Sequence, residues 1–271
     1  MRLADKVVIV TGSATGIGRG IALRAAAEAA RVVVHGLEAD LVAETVAAIG
    51  TDATGAARAV GHVGELADPD CPRRLVALAV DRFGRLDALV NNAAAVVTGD
   101  IHSTDAALFE RIMRVNALVP LLAIQAALPH LRATRGCVLN IGSVNAWCGE
   151  ANLLPYAMSK GALMTLTRNL GDVLFREEGI RVNQINPGWV LTENESRRKQ
   201  AQGFTPDWPA RLPAQFAPAG RLFSPAEIAA VAVTFLADEA GPVSGQVCDL
   251  EQYPLIGRNP LKEIPPRTAT P

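Results

Sequence analysis

The chain has 271 residues, 49% of them hydrophobic, and a formal net charge of -1. That is enough apolar sequence for one large core and short for two ordinary domains, so a single domain over residues 1–271 is expected. Basic residues are scattered rather than clustered, which argues against a nucleic-acid partner and favours small-molecule chemistry.

The first residues run directly into an apolar strand, without the charged, apolar and cleavable succession of an export signal, so a cytoplasmic location is expected. Beyond them, short β-branched runs alternate with stretches of helical period. Strands are predicted over residues 7–10, 32–34, 57–60, 89–90, 138–141, 182–185 and 246–250. Helices are predicted over 17–29, 39–49, 72–83, 106–131, 155–175 and 225–236. This alternation predicts an α/β fold, a doubly wound parallel sheet of about seven strands with helices on both faces. The longest apolar stretch, 117–127, is interrupted by Pro120 and Gln125 and falls short of the roughly 20 residues of a membrane span. It reads as a buried helix, and no membrane partner is expected. Between residues 191 and 223 the period fails among prolines at 206, 209, 213 and 218. Phe204, Trp208 and Phe216 are more aromatic content than a linker carries, so a mobile flap over a pocket is predicted there. Ser224-Pro225-Ala226-Glu227 then reads as a capped helix start. The tail from 253 to 271, with five prolines, reads as a surface arm or a subunit contact.

Neither the cysteines, Cys71, Cys137, Cys148 and Cys248, nor the histidines, His35, His62, His102 and His130, show ligand spacing, so no metal is expected. Two other patterns carry chemistry. Gly12, Gly16 and Gly18 sit between a strand and a helix, where missing side chains let the backbone turn tightly and approach a pyrophosphate at a helix N-terminus. Tyr156 and Lys160 are one helical turn apart, so the ammonium can lie near the phenol and lower its pKa, making it a proton donor or acceptor. Ser143, after a strand, can hydrogen-bond the same substrate oxygen. Singly, each has a plainer meaning: a Tyr-x-x-x-Lys on an amphipathic helix is usually structural, Ser143 could cap a helix, and Asn116 could satisfy a buried backbone group.

With Asn91-Asn92-Ala93-Ala94 after a strand, Asn116 in a helix and Pro187-Gly188-Trp189-Val190-Leu191-Thr192, the ordered set closely resembles the short-chain dehydrogenase/reductase family over residues 6–250. The resemblance implies a Rossmann-type fold and hydride transfer between a nicotinamide cofactor and a secondary alcohol or ketone. Tyr156 would then be the general acid or base and Ser143 its partner at the substrate oxygen. Lys160 would hold the nicotinamide ribose, and Asn116 would anchor a water linking Lys160 to solvent. Implied cofactor contacts are Gly12, Thr15, Gly16, Ile17, Gly18, Leu37, His62, Val63, Asn91, Ala93, Tyr156, Lys160, Pro187, Gly188, Val190 and Thr192. Asn91 would support the central strand or approach adenosine, and His62 would meet adenine or face solvent. Ala94 replaces the family's glycine and adds a methyl near the cofactor.

At the end of the second strand the chain reads His35-Gly36-Leu37-Glu38, with neither the family's usual aspartate nor its arginine. Glu38 and Asp40 would repel a 2′-phosphate, so NAD is expected, with NADP as the alternative. Pocket walls are expected at Val144, Asn145, Ala146, Trp147, Glu150 and Asn152, and on the flap at Glu193, Asn194 and Glu195. Their polar groups suit a sugar or polyol, unless they are simply solvated loop residues. An NADPH-dependent ketone or 3-oxoacyl reductase and a non-catalytic dinucleotide sensor are the competing readings. The resemblance also implies a homo-oligomer, a dimer or tetramer, packed through the helices bearing Asn116 and Tyr156.

Overall fold

The computed structural model describes residues 1–147 and 149–254. Cys148 and residues 255–271, most of the expected arm, lie outside the described residues.

A strand forms at each β-branched run: β1 (Val7–Val10), β2 (Arg31–Gly36), β3 (Ala59–Val63), β4 (Ala88–Asn91), β5 (Cys137–Ile141), β6 (Arg181–Pro187) and β7 (Val247–Leu250). All neighbours pair in parallel in the order β3-β2-β1-β4-β5-β6-β7. Val8 of β1 pairs with Val32 on one side and Ala88 on the other, so the winding reverses at β1. In a doubly wound sheet that reversal opens a crevice at the C-terminal strand ends.

The sheet is buried on both faces, which is why β1 is valine and isoleucine throughout. Val8 and Val10 pack toward α1 (Gly16–Ala27), α2 (Ala39–Ile49) and α8 (Pro225–Leu236). Val7 and Ile9 pack toward α3 (Cys71–Phe83), α5 (Val119–Thr134) and α6 (Leu154–Glu178). Each such side chain stabilises the fold by about 1.5–3 kcal/mol over its exposed state, so the two clusters hold β1 as the sheet's spine. The helix α8 begins with the predicted reciprocal cap, Ser224 accepting from the Glu227 amide while Glu227 accepts from the Ser224 amide.

Two expectations change. The single helix read over 106–131 is α4 (Ala106–Met113), a π turn over Arg114–Leu118, and α5. Pro120 has no N–H to return to the Asn116 carbonyl, and the π turn absorbs that missing α-helical bond. The combined helix Ala106–Thr134, with mean hydropathy 1.5, is long and apolar enough to cross a membrane by length and composition, contrary to the shorter stretch read from the sequence. Its inner face packs on the sheet through Val119, Ala123, Ile124, Ala127 and Leu131. The segment expected as a flap contains a further helix, α7 (Glu193–Ala201). It has no apolar stripe; it is specified by its Thr192 cap, acids in its first turn and Arg198 and Lys199 in its last. Behind α7, Trp208, Ala217 and Leu222 form a small core with Trp189 and Leu212.

Candidate active site

The loop after β1 is fixed from three sides. Thr11 Oγ1 donates to the Val90 carbonyl and accepts from the Asn92 and Ala93 amides, tying the ends of β1 and β4 together. The Asn92 side-chain amide donates to the carbonyls of Thr11 and Gly12 at 2.9 and 3.0 Å. Gly12 has φ +62°, and a Cβ there would stand 2.9 Å from Ala93 Cα. A Cβ on Gly18 would collide with the Gly12 carbonyl and the Asn92 amide, so the loop's own packing excludes a side chain there, and Gly18 lies outside the cleft lining. Gly16 has φ +56° and opens toward Thr192. The Thr15 side chain does not cap α1, and no acid lies in its first turn, so nothing on the helix itself neutralises its positive end.

A cleft of about 690 Å³ runs along this loop. At one end stand His35, Gly36, Leu37, Glu38, Glu65 and Leu66; along the middle, Ala14, the glycine loop and Asn92 to Val96; and the lining also includes Arg111, Val115, Thr192, Asn194, Glu195 and Arg198. The size falls within the roughly 300–1,000 Å³ of small-molecule sites. The cradle at Gly12 and Gly16 and the uncapped start of α1 fit the pyrophosphate of a dinucleotide. Of the predicted cofactor positions, Gly12, Thr15, Gly16, Ile17, Leu37, Ala93 and Thr192 line the cleft, and so does Ala94 with its extra methyl.

Other predicted contacts are placed elsewhere. The Asn91 amide donates to Asn140 at 2.9 Å, so it braces β4 against β5. His62 stacks on His35 with centroids 6.1 Å apart and points Nε2 toward Cys71 Sγ, 3.8 Å away. Neither it nor Val63 borders the cleft, because β3 runs on through both residues and the chain enters the lining only at Glu65. Gly188 donates to the Leu250 carbonyl and lies against Glu251, while Val190 is buried and bridges to Phe223; with Pro187 they hold β6 against β7 and the flap, outside the cleft lining. Glu65, Leu66, Val96, Arg111, Val115 and Arg198 also line the cleft without having been expected there. None belongs to a motif, and only the end of the adjacent strand or helix could have pointed to them.

Beyond the cleft lining, β5 and α6 bring the chemical residues together. Ser143 leaves β5 with its amide on Asn186 Oδ1 and its hydroxyl oxygen accepting from the Asn145 amide at 3.1 Å. Burial pushes the Tyr156 hydroxyl up to about 12; a Ser143 hydrogen bond and Arg198 pull it down, while Glu150 and Glu195 add to the rise. Lys160, 2% exposed, stands on the same helix face, 5.7 Å from the Tyr156 ring centroid. Its ammonium donates to the Ile141 carbonyl at 2.8 Å, and burial lowers its pKa to about 8. The expected net lowering of the tyrosine pKa does not result in this chain by itself, because desolvation opposes charge on both groups and outweighs the other effects. Asn116 Oδ1 accepts from the Ala95 amide, and its Nδ2 donates to the Ala95 carbonyl and to Ser159 Oγ. Its side chain ties the Ala95 peptide to Ser159 of α6.

Among the expected pocket walls, Trp147 is turned away, donating to Asp249 and lying over Arg168. Glu195 is held by Arg198 and by the Trp189 indole N–H. Asn194 alone reaches back to the loop, toward Thr15 Oγ1 at 3.4 Å.

Comparisons agree with this geometry. The family model described as enoyl-(acyl carrier protein) reductase matches residues 12–251. The chain is 33% identical over 245 residues to 2-(S)-hydroxypropyl-CoM dehydrogenase 3 of Xanthobacter autotrophicus, covering 90% of this chain and 94% of that one. It is 31% identical over 248 residues to meso-2,3-butanediol dehydrogenase of Serratia marcescens, covering 90% and 92%. To L-fucose dehydrogenase of Oryctolagus cuniculus it is 36% identical over 247 residues, covering 90% and 83%.

Proposed function

The chain belongs to the short-chain dehydrogenase/reductase family and is a nicotinamide-dependent oxidoreductase of secondary alcohols and ketones; from that premise we propose that it is an NAD-linked dehydrogenase of a sugar or polyol hydroxyl, with Tyr156 handling the proton. The observation that carries this reading is the gathering of Ser143, Tyr156 and Lys160 between β5 and α6, within electrostatic reach of the cleft residues Glu195 and Arg198.

The nicotinamide, when bound, accepts or donates the hydride at the substrate carbon. Tyr156, with its pKa raised to about 12, carries its proton across the neutral range. It gives that proton to the substrate oxygen when a carbonyl is reduced, and alcohol oxidation runs the transfer backwards from the phenolate, whose proton has first to leave for solvent. The Ser143 oxygen accepts from Asn145, which leaves its own proton to stabilise charge developing on the same substrate oxygen. Lys160, anchored on Ile141, is charged below about pH 8 and favours the phenolate as the proton leaves. Asn116 fixes the Ala95 peptide in the cleft wall.

For the cofactor, Glu38 and Glu65 support NAD, since a 2′-phosphate at that end would face two carboxylates and, among the described residues, no lining Lys or Arg there. The names of the fucose and butanediol relatives support a polyhydroxylated substrate. The apolar cavity of about 820 Å³ beside α4, lined by Phe109, Met113, Leu118, Leu121 and Leu166, supports assembly into a dimer or tetramer. The test is a screen of secondary alcohols, sugars, polyols and ketones by nicotinamide absorbance with both cofactors. NAD-linked oxidation of a polyol or sugar is expected. Turnover confined to NADP(H) and ketones would overturn both the cofactor and the substrate assignment.

A further inference from the structure

His35 lies at the second-last position of β2, where its strand meets the glycine loop. It is 2% exposed and borders the cleft. Three hydrogen bonds join it to that loop. The Ser13 amide donates to the His35 carbonyl at 2.7 Å, and the His35 amide donates to Ser13 Oγ at 3.0 Å. The third is made by the ring: the Gly12 amide donates to Nδ1 at 3.1 Å. On its far side Nε2 lies 3.0 Å from the Gly64 carbonyl. A carbonyl only accepts and an amide N–H only donates, so the two contacts fix one tautomer, with the proton on Nε2 and a lone pair on Nδ1.

We propose that His35 is a positioning residue for the dinucleotide: its neutral ring struts the Gly12 peptide against the end of β3, and protonation at Nδ1 releases the loop and weakens cofactor binding. The inference rests on reading the cleft as a dinucleotide site. Gly12 occupies the positive-φ position on which the loop turns, and its amide has no other partner in the turn. A ring protonated at both nitrogens would set N–H against N–H at Gly12 and lose the strut. The groups facing the ring are His62 of β3, Cys71 Sγ at the start of α3, 4.0 Å from Nε2, and Glu65 beyond β3; Arg74 of α3 acts on His62 and Cys71. Burial, resisted by the Gly64 bond and aided by His62, lowers the ring to about 4, while Glu65 works the other way. The ring therefore stays neutral at physiological pH, and the strut fails only as pH falls through about 4.

Two isosteres separate this role from a merely structural tie between β2 and β3. The side-chain oxygen of Asn reaches the place of Nδ1, whereas the amide of Gln reaches that of Nε2. His35→Asn keeps the Gly12 bond and drops Gly64; His35→Gln does the reverse. Calorimetric titration with NAD and with ADP-ribose is expected to show His35→Gln binding about three- to tenfold more weakly, the weight of one hydrogen bond, and His35→Asn within about twofold of wild type. Ring nitrogen chemical shifts of the wild-type protein are expected to show Nδ1 unprotonated from pH 5 to 8. Equal affinity in His35→Gln, the opposite ranking of the two variants, or a proton on Nδ1 would overturn the strut. If the wild type binds neither ligand, the dinucleotide reading itself falls, and the strut with it. The ring shifts judge the tautomer even if a variant fails to fold.

Discussion

Lys160 shares a face of α6 with Tyr156, yet its ammonium is bonded to the Ile141 carbonyl at 2.8 Å and lies 5.7 Å from the tyrosine ring centroid. The cation is thus divided between a backbone carbonyl and the face of the phenol. Its presence does not ionise the tyrosine, because burial moves the two groups in opposite directions, Tyr156 up to about 12 and Lys160 down to about 8. Two pKa units are about 3 kcal/mol, more than an exposed ion pair usually supplies. At neutral pH the centre is accordingly a protonated phenol beside a charged amine, a poised proton donor.

Tyr156→Phe removes the transferable proton and leaves the glycine loop and cleft lining unchanged. Turnover is expected to fall by roughly 10²–10⁴, the usual weight of general acid-base catalysis, while the dissociation constant for NAD stays within about twofold. Steady-state kinetics together with calorimetry measure both quantities. Undiminished turnover would remove the phenol from the mechanism.

The lysine gives the pH profile its sign. Its buried pKa of about 8 lies below the ordinary 10.5, so the ammonium loses its proton, and with it its pull on the phenolate, as pH rises through about 8. The rate of carbonyl reduction is expected to decline above that pH in the wild type. Lys160→Met should be slower at every pH, bind NAD more weakly and lack that limb. A profile of the same shape in wild type and variant would assign the limb to another group.

Most of the fold was legible because β-branched runs and helical periods report burial directly. Both boundaries of β1, α2 and α8 follow from the sequence, as does the Ser224–Glu227 cap. What escaped is what periodicity does not encode. The α7 helix is held by a cap and by charge order rather than an apolar stripe, and the π turn before Pro120 follows from one missing N–H. At the site, motif order pointed to Ser143, Tyr156 and Lys160, which lie together between β5 and α6, but not to the dominance of burial at the tyrosine. His62 lies outside the cleft lining because β3 continues beyond Val60, so the chain reaches the cleft only at Glu65.

Cofactor choice should respond to charge at position 37. Leu37 is 57% exposed at the cleft mouth, next to Glu38, so a longer side chain there meets no core packing. Leu37→Arg adds a guanidinium where a 2′-phosphate would lie and offsets the carboxylates. Affinity for NADP is expected to rise at least tenfold relative to NAD, and the gain should shrink at high salt as the exposed charges are screened. Parallel titrations with the two dinucleotides decide it, and an unchanged ratio would mean that the 2′ position lies away from Leu37.

Packing around position 36 opposes an aspartate there, which can be tested separately. A Cβ on Gly36 would stand 2.6 Å from Ala14 Cβ and 2.9 Å from Val42 Cγ2, so the glycine loop and α2 both close on this position. Gly36→Asp is therefore expected to destabilise the fold by about 1–3 kcal/mol, the range for overpacking a dense contact. The nearer obstacle is a single methyl, so Ala14→Gly combined with Gly36→Asp should recover most of that loss. The double variant should also bind NAD more tightly than wild type, since a carboxylate at the end of β2 can accept from the ribose 2′-hydroxyl. Urea denaturation of the wild type and the single and double variants measures the stability terms. If Gly36→Asp alone proves as stable as the wild type, α2 and the loop have room to move, and tight packing cannot explain why this chain does without the acid.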